Sequence, residues 1–125
     1  MKNEIKTTDG KIQKLYEDGH KEVIFPNGVR KEVYPNGYVE VVFGNGDVKQ
    51  DFPDGKVIYT FQSSRTVQTN YPSGLKVFNF ASGQIEKHIP DGSKQITYPD
   101  GTVKTIGNDN YEEIVFPDGV TQRTE

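Results

Sequence analysis

IPDGSKQITYPDGTVK, residues 89–104, states one phrase twice: Pro-Asp-Gly, six residues, and Pro-Asp-Gly again nine positions later. Asp-Gly and Asn-Gly are strong short hairpin signals, because both residue types tolerate φ > 0 at little cost. Working outward, the same punctuation falls at Asp9-Gly10, Asp18-Gly19, Asn27-Gly28, Asn36-Gly37, Asn45-Gly46, Asp54-Gly55, Ser73-Gly74, Ser82-Gly83 and Asp118-Gly119. Degenerate versions stand at Ser63-Ser64 and Asp109-Asn110. Every step is nine residues except one of ten, from 63 to 73. All seven prolines sit directly before the first turn residue. The segments between turns are mostly Val, Ile, Thr, Lys, Glu and aromatic residues with no helical period, so they read as strands. The spacing predicts an all-β antiparallel meander of about a dozen short strands.

A Pro-Asp-Gly turn suits a three-residue loop, with Pro at φ near −65° and Gly in the left-handed position of a G1 bulge. The aromatic before Pro then pairs with the residue after Gly, Phe25 with Val29 and Phe80 with Gln84. This odd offset swaps faces at every turn. It collects Phe25, Val39, Val41, Phe43, Val57, Tyr59, Phe61, Val67, Phe78, Phe80, Ile96, Tyr98, Ile114 and Phe116 on one face. Tyr16, Tyr34, Tyr38, Phe52, Ile58 and Tyr111 fall on the other. Two-residue turns would instead place all the pre-turn aromatics together; the sequence favours the bulged register. The ten-residue step implies a β-bulge between Arg65 and Tyr71.

Only 32% of the 125 residues are hydrophobic, the mean hydropathy is −0.74 and there is no Trp, too little for a conventional two-layer core. Seven Phe, seven Tyr and a formal net charge of only −3 nonetheless argue against disorder. Nothing offers a second layer. The expectation is therefore an elongated single-layer sheet, solvent-exposed on both faces and held by cross-strand pairs, with open edges at its ends. The length fits one domain, 1–125, and the opening residues already follow the repeat, which reads as a piece of a longer chain.

The pI of 5.4 argues against nucleic-acid or membrane surfaces. The absence of Cys excludes disulfides and thiolate metal sites and points to a reducing compartment. His20 and His88 lie on separate strands without a second ligand and read as solvated strand residues. No turn has calcium-loop spacing. Gly44-Asn45-Gly46 precedes no helix, so it is not a phosphate loop. Ser63, Ser64 and Ser73 have no base beside them. No catalytic residue, cofactor or metal is expected.

The exposed aromatics are the sharpest candidate. Many serve only to pack across the sheet, but Phe43, Lys49, Tyr59, Phe61, Val67, Phe78 and Phe80 gather on adjoining strands in this register, with Glu86 directly opposite Phe78. Aromatic surface beside a carboxylate suits an extended Pro-rich peptide, whose preformed helix loses little entropy on binding. Phe61 and Phe78 can contact ligand or only support Tyr59 and Phe80. Glu86 can bind a basic ligand group or act as an ordinary cross-strand charge.

The run EKHIPDGSKQITYPDGTVK (86–104), with VFGNGDVKQDFPDGKVIYTF (42–61) and TNYPSGLKVFNF (69–80), resembles the G-box, or T-complex-protein C-terminal domain, of CPAP-type centriole assembly proteins. The resemblance implies a single-layer antiparallel meander that binds a Pro-rich segment of a STIL-type centriole duplication protein. It also implies end-to-end self-association and a place at the centriole or centrosome within the cytoplasm. By position it implies a platform of Phe43, Tyr59 and Phe80 with Glu86. The sequence departs from the family pattern where Gly44 replaces Pro and at the two degenerate turns. A rival reading from the same repeat is a structural module that polymerises through its sheet edges.

Overall fold

The computed structural model describes residues 3–109 and 111–124. Its described residues contain fourteen antiparallel strands and no helix. They fall into two compact units, Met1–Gln62 and Ser63–Glu125. The first contains β1 (Asn3–Lys6), β2 (Ile12–Leu15), β3 (Lys21–Ile24), β4 (Arg30–Val33), β5 (Val39–Val42), β6 (Val48–Asp51) and β7 (Val57–Phe61). The second contains β8 (Thr66–Asn70), β9 (Lys76–Asn79), β10 (Ile85–His88), β11 (Lys94–Thr97), β12 (Val103–Ile106), β13 (Glu112–Val115) and β14 (Thr121–Thr124). Within each unit the strand order follows the chain, so each is a single-layer meander of successive hairpins.

The hairpins close as the sequence dictates. Tyr98 donates its N–H to the Thr102 carbonyl at 2.8 Å, and the Gly101 N–H returns to the Tyr98 carbonyl at 2.9 Å, enclosing the three-residue loop Pro-Asp-Gly. Gly92 and Gly101 take φ of 94° and 93°, which a Cβ would resist. The Asx residue accepts a second bond: the Thr102 N–H donates to Asp100 Oδ1 at 2.8 Å, and the Val29 N–H to Asn27 Oδ1 at 3.1 Å. These contacts fix the bulged register. The ladders themselves are four or five residues long, each extended by the pair that closes its hairpin.

The turns also pack on one another. Pro26 Cγ lies 3.0 Å from where a Cβ on Gly10 would sit, and Pro35 covers Gly19, Pro90 covers Gly74 and Pro99 covers Gly83 in the same way. The nine-residue repeat thus brings alternate turns, eighteen residues apart, into contact, and at these positions the glycine makes room for the ring of the proline sixteen residues on.

Two expectations need correction. The extra residue of the ten-residue step lies in the turn: β7 ends at Phe61, β8 begins at Thr66, and Arg65 adopts φ of 53°. No bulge interrupts β8, which pairs with β9 continuously from Val67↔Asn79 to Asn70↔Lys76. Gln68, not Val67, therefore opposes Phe78, and Val67 lies on the opposite face from Phe78 and Glu86. Because side chains alternate, moving one residue from strand to turn reverses the strand's faces. The degenerate turn at Asp109 keeps the Gly107-to-Tyr111 backbone bond at 2.6 Å, while Asn110 lies outside the described residues.

Among the described residues no hydrophobic side chain is fully buried; the two buried residues are polar, Glu22 and Thr69. Cross-strand pairing takes the place of a core. On one face of the first unit, Tyr16, His20, Tyr34, Tyr38 and Phe52 form a row with ring centroids 4.2, 4.8, 5.4 and 5.2 Å apart, the first two pairs stacked and the last two tilted. Such pairs contribute about 0.5–1.5 kcal/mol each beyond their buried area. Beside them runs a carboxylate row, Glu22, Glu32 and Glu40, on successive strands. The Tyr34 hydroxyl donates to Glu32 Oε2 at 2.5 Å, and this bond pushes its pKa up to about 12. His20 is thus a stacked member of the row and not a solvated strand residue.

Candidate functional site

The other face of the first unit carries Phe43, Lys49, Tyr59 and Phe61. Lys49 opposes both Val41 and Tyr59 across the strands, and Phe43 and Phe61 follow two residues beyond Val41 and Tyr59. The Tyr59 and Phe61 rings lie nearly parallel with centroids 6.2 Å apart. Lys49 Nζ sits 5.8 Å from the Tyr59 centroid and 3.8 Å from Asp51 Oδ2, so its charge is already partly satisfied. Phe43 is among the more exposed large apolar residues, at 39%.

An open groove of about 490 Å³ lies here, lined by Asn27, Val29, Phe43, Gly44, Tyr59 and Phe61 among others. Its origin is a single residue. At Gly10, Gly19 and Gly37 the proline two turns on covers the glycine, but no atom falls within 4 Å of where a Cβ on Gly28 would sit, and residue 44, at the covering position, is Gly and not Pro. The column of prolines is interrupted, and the gap opens onto three aromatic rings. Sequence reasoning noticed Gly44 as a departure but missed Asn27 and Val29 as groove residues. The signal was the missing proline, read together with the sixteen-residue spacing from a turn glycine to the proline that covers it.

The second unit presents a separate cluster. Phe78 and Glu86 are direct cross-strand partners. The Phe78 and Phe80 rings run nearly parallel with centroids 6.3 Å apart. Glu86 accepts from Gln84 Nε2 at 3.2 Å, and its Oε1 lies 3.4 Å from His88 Nε2. His88 in turn packs 4.7 Å from the Phe78 ring, centroid to centroid. Gln84 went unrecognised in the sequence and His88 read as a solvated strand residue, since both depend on the register that places them around Glu86. Val67 takes no part in this cluster, for the reason of parity given above. Among the described residues no group of three or more His, Cys, Asp or Glu could hold a metal ion.

Fold and surfaces together define a class: a repeat-built, single-layer β-meander that presents aromatic rings and carboxylates where other domains have a core. A family profile described as T-complex protein 10 C-terminus matches residues 4–33. Mouse centrosomal P4.1-associated protein is 52% identical over 89 residues, 70% of this chain, and its human counterpart 51% over the same length. Those proteins are far longer, and the match spans 7% of each. Among solved structures, the TCP10 domain of Danio rerio CPAP in complex with a peptide of Danio rerio STIL superposes with a TM-score of 0.84 at 47% identity, over 93% of this chain and 65% of that one. A CPAP G-box domain gives a TM-score of 0.84 at 47% identity, over 86% of this chain and 70% of that one. The chain belongs to the TCP10, or G-box, domain family of CPAP.

Proposed function

We propose that this chain is a non-catalytic interaction module of a centriolar scaffold in the cytoplasm, acting in centriole duplication by binding a Pro-rich peptide of the STIL type. The observation that carries the reading is the open aromatic groove made by Gly44. Its chemistry matches a proline-bearing chain: flat rings of Phe43, Tyr59 and Phe61 for pyrrolidine stacking, and an apolar gap between turns where other turns hold a proline ring. The second unit presents its own aromatic surface, Phe78 and Phe80, beside the Glu86 carboxylate, which suits a basic residue of such a peptide. The zebrafish relative in complex with a STIL peptide supports the same reading. Calorimetric titration of a Pro-rich, Arg-containing STIL-type peptide tests it. A saturable exothermic or endothermic isotherm supports the reading, and a flat one at high peptide concentration contradicts it.

A second reading, self-association through sheet edges, is favoured by β1 and β14, whose residues are all exposed and which each pair with a single neighbouring strand. Light scattering across concentrations tests it. Growth in mass with concentration that is abolished by Gln122→Pro supports it, and a constant monomer mass contradicts it.

A further inference from the structure

On the face of the second unit that carries Phe78 and Glu86, the neighbouring row across the strands is Lys76, His88 and Lys94. Lys76 directly opposes His88, and His88 directly opposes Lys94. Asn70 stands beyond Lys76 and Ile106 beyond Lys94, so no carboxylate closes either end of the row. Neither Lys76 nor Lys94 has an ion-pair partner among the described residues. The nearby acid, Glu86, pairs with neither lysine; its contacts are to Gln84 Nε2 and His88 Nε2. Lys104, on the next strand, behaves differently: it pairs with Glu112 at 3.0 Å, and that contact raises its pKa.

The face therefore has two poles. Glu86 lies in one row, and the row that holds Lys76 and Lys94 lies two residues further along β10, ~7 Å away at ~3.3 Å per strand residue. A polyproline chain advances ~3.1 Å per residue, so a basic and an acidic side chain two or three positions apart span the same distance. We propose that Lys76 and Lys94, on either side of His88, form an anion subsite for carboxylate side chains flanking the Pro-rich core of the bound peptide. This rests on the peptide-binding reading above and extends it. It gives that partner an acidic flank on one side of its Arg.

The test uses three fluorescent peptides with the same Pro-rich, Arg-containing core. One has three Gln at each end, the second has three Glu in place of the N-terminal Gln, and the third has them in place of the C-terminal Gln. Anisotropy at low salt should give one acidic peptide an affinity about tenfold above the neutral one. The gain should vanish in Lys76→Gln/Lys94→Gln, and in 0.5 M salt, where the screening length falls to a few ångströms. The neutral peptide should bind wild type and variant alike, with circular dichroism confirming the fold; Lys94→Gln alone, with half the effect, serves if the double variant unfolds. Acidic peptides that bind no better than the neutral one, or a gain that survives the substitutions, overturn the subsite while leaving the groove reading intact. If no peptide binds, hexaglutamate followed by amide chemical shifts decides. Saturable shifts at Lys76, His88 and Lys94 sustain the subsite alone, and their absence overturns it.

Discussion

Gly44→Pro should make the protein more stable and a poorer binder at once. Proline occupies the equivalent position in seven other turns, and Gly44 is not among the residues with positive φ. Its N–H takes no part in the bonds that close the hairpin, which run from Phe43 to Asp47 and from Gly46 to Phe43. A Cβ there meets only the Asn27 carbonyl oxygen at 3.5 Å, an ordinary contact. A tolerated proline stabilises by about 0.4–1 kcal/mol through the unfolded chain, a rise of ~1–5 °C in Tm for a chain of this size. The new ring would extend over Gly28, as Pro26 does over Gly10, and fill part of the 490 Å³ groove. Affinity for the Pro-rich peptide should fall at least tenfold, about 1.4 kcal/mol. Thermal melts and calorimetry on the same preparations check both halves. A variant that melts higher yet binds the peptide undiminished would refute the assignment of the groove. One that melts lower would refute the account of turn packing.

Further predictions concern other residues. Tyr59→Ala and Phe80→Ala should each weaken peptide binding tenfold or more by calorimetry, with an unchanged β-sheet circular dichroism spectrum. Val67→Ala should leave affinity within a factor of two, since Val67 lies on the face opposite Phe78 and Glu86. In an ultraviolet titration one tyrosine should ionise near pH 12, and Glu32→Gln should return it toward 10. The folded state holds that proton more tightly than the unfolded chain, so this contribution to stability is complete below pH 10 and is lost as pH rises toward 12. The turn aspartates act in the opposite sense. Ser93 hydrogen bonds to Asp91, and the Thr102 N–H to Asp100, hold both carboxyls below the usual 3.8. Their contribution is complete above that value and is lost as pH falls below about 4, which urea titrations at pH 3 and pH 6 would detect.

Where the chemistry is local, the sequence was legible. Each Asx-Gly pair contains its own reason for turning, in a side-chain acceptor for the N–H two residues on and a glycine for the left-handed position. The odd loop length then follows, and with it the two faces and the partnership of Glu86 with Phe78. What stayed hidden depended on contacts between distant repeats or on how one extra residue is absorbed. Arg65, neither Gly nor Asx, takes the left-handed conformation without any sequence signal, so the parity of Val67 was misjudged. His20 and His88 read as solvated because ring stacking becomes visible only when neighbouring strands are laid side by side. Gly44 was seen as an irregularity. Its consequence, an uncovered Gly28 and a groove, required knowing that alternate turns, eighteen residues apart, touch.

The most direct test is a chemical-shift map of the isotopically labelled chain titrated with the Pro-rich, Arg-containing peptide. Saturable shifts are expected at Asn27, Val29, Phe43, Gly44 and Tyr59, and in the second unit at Phe80 and Glu86, with Tyr34, Tyr38 and Phe52 on the opposite face of the first unit unmoved. Shifts centred on that tyrosine row, or confined to β1 and β14, would contradict it.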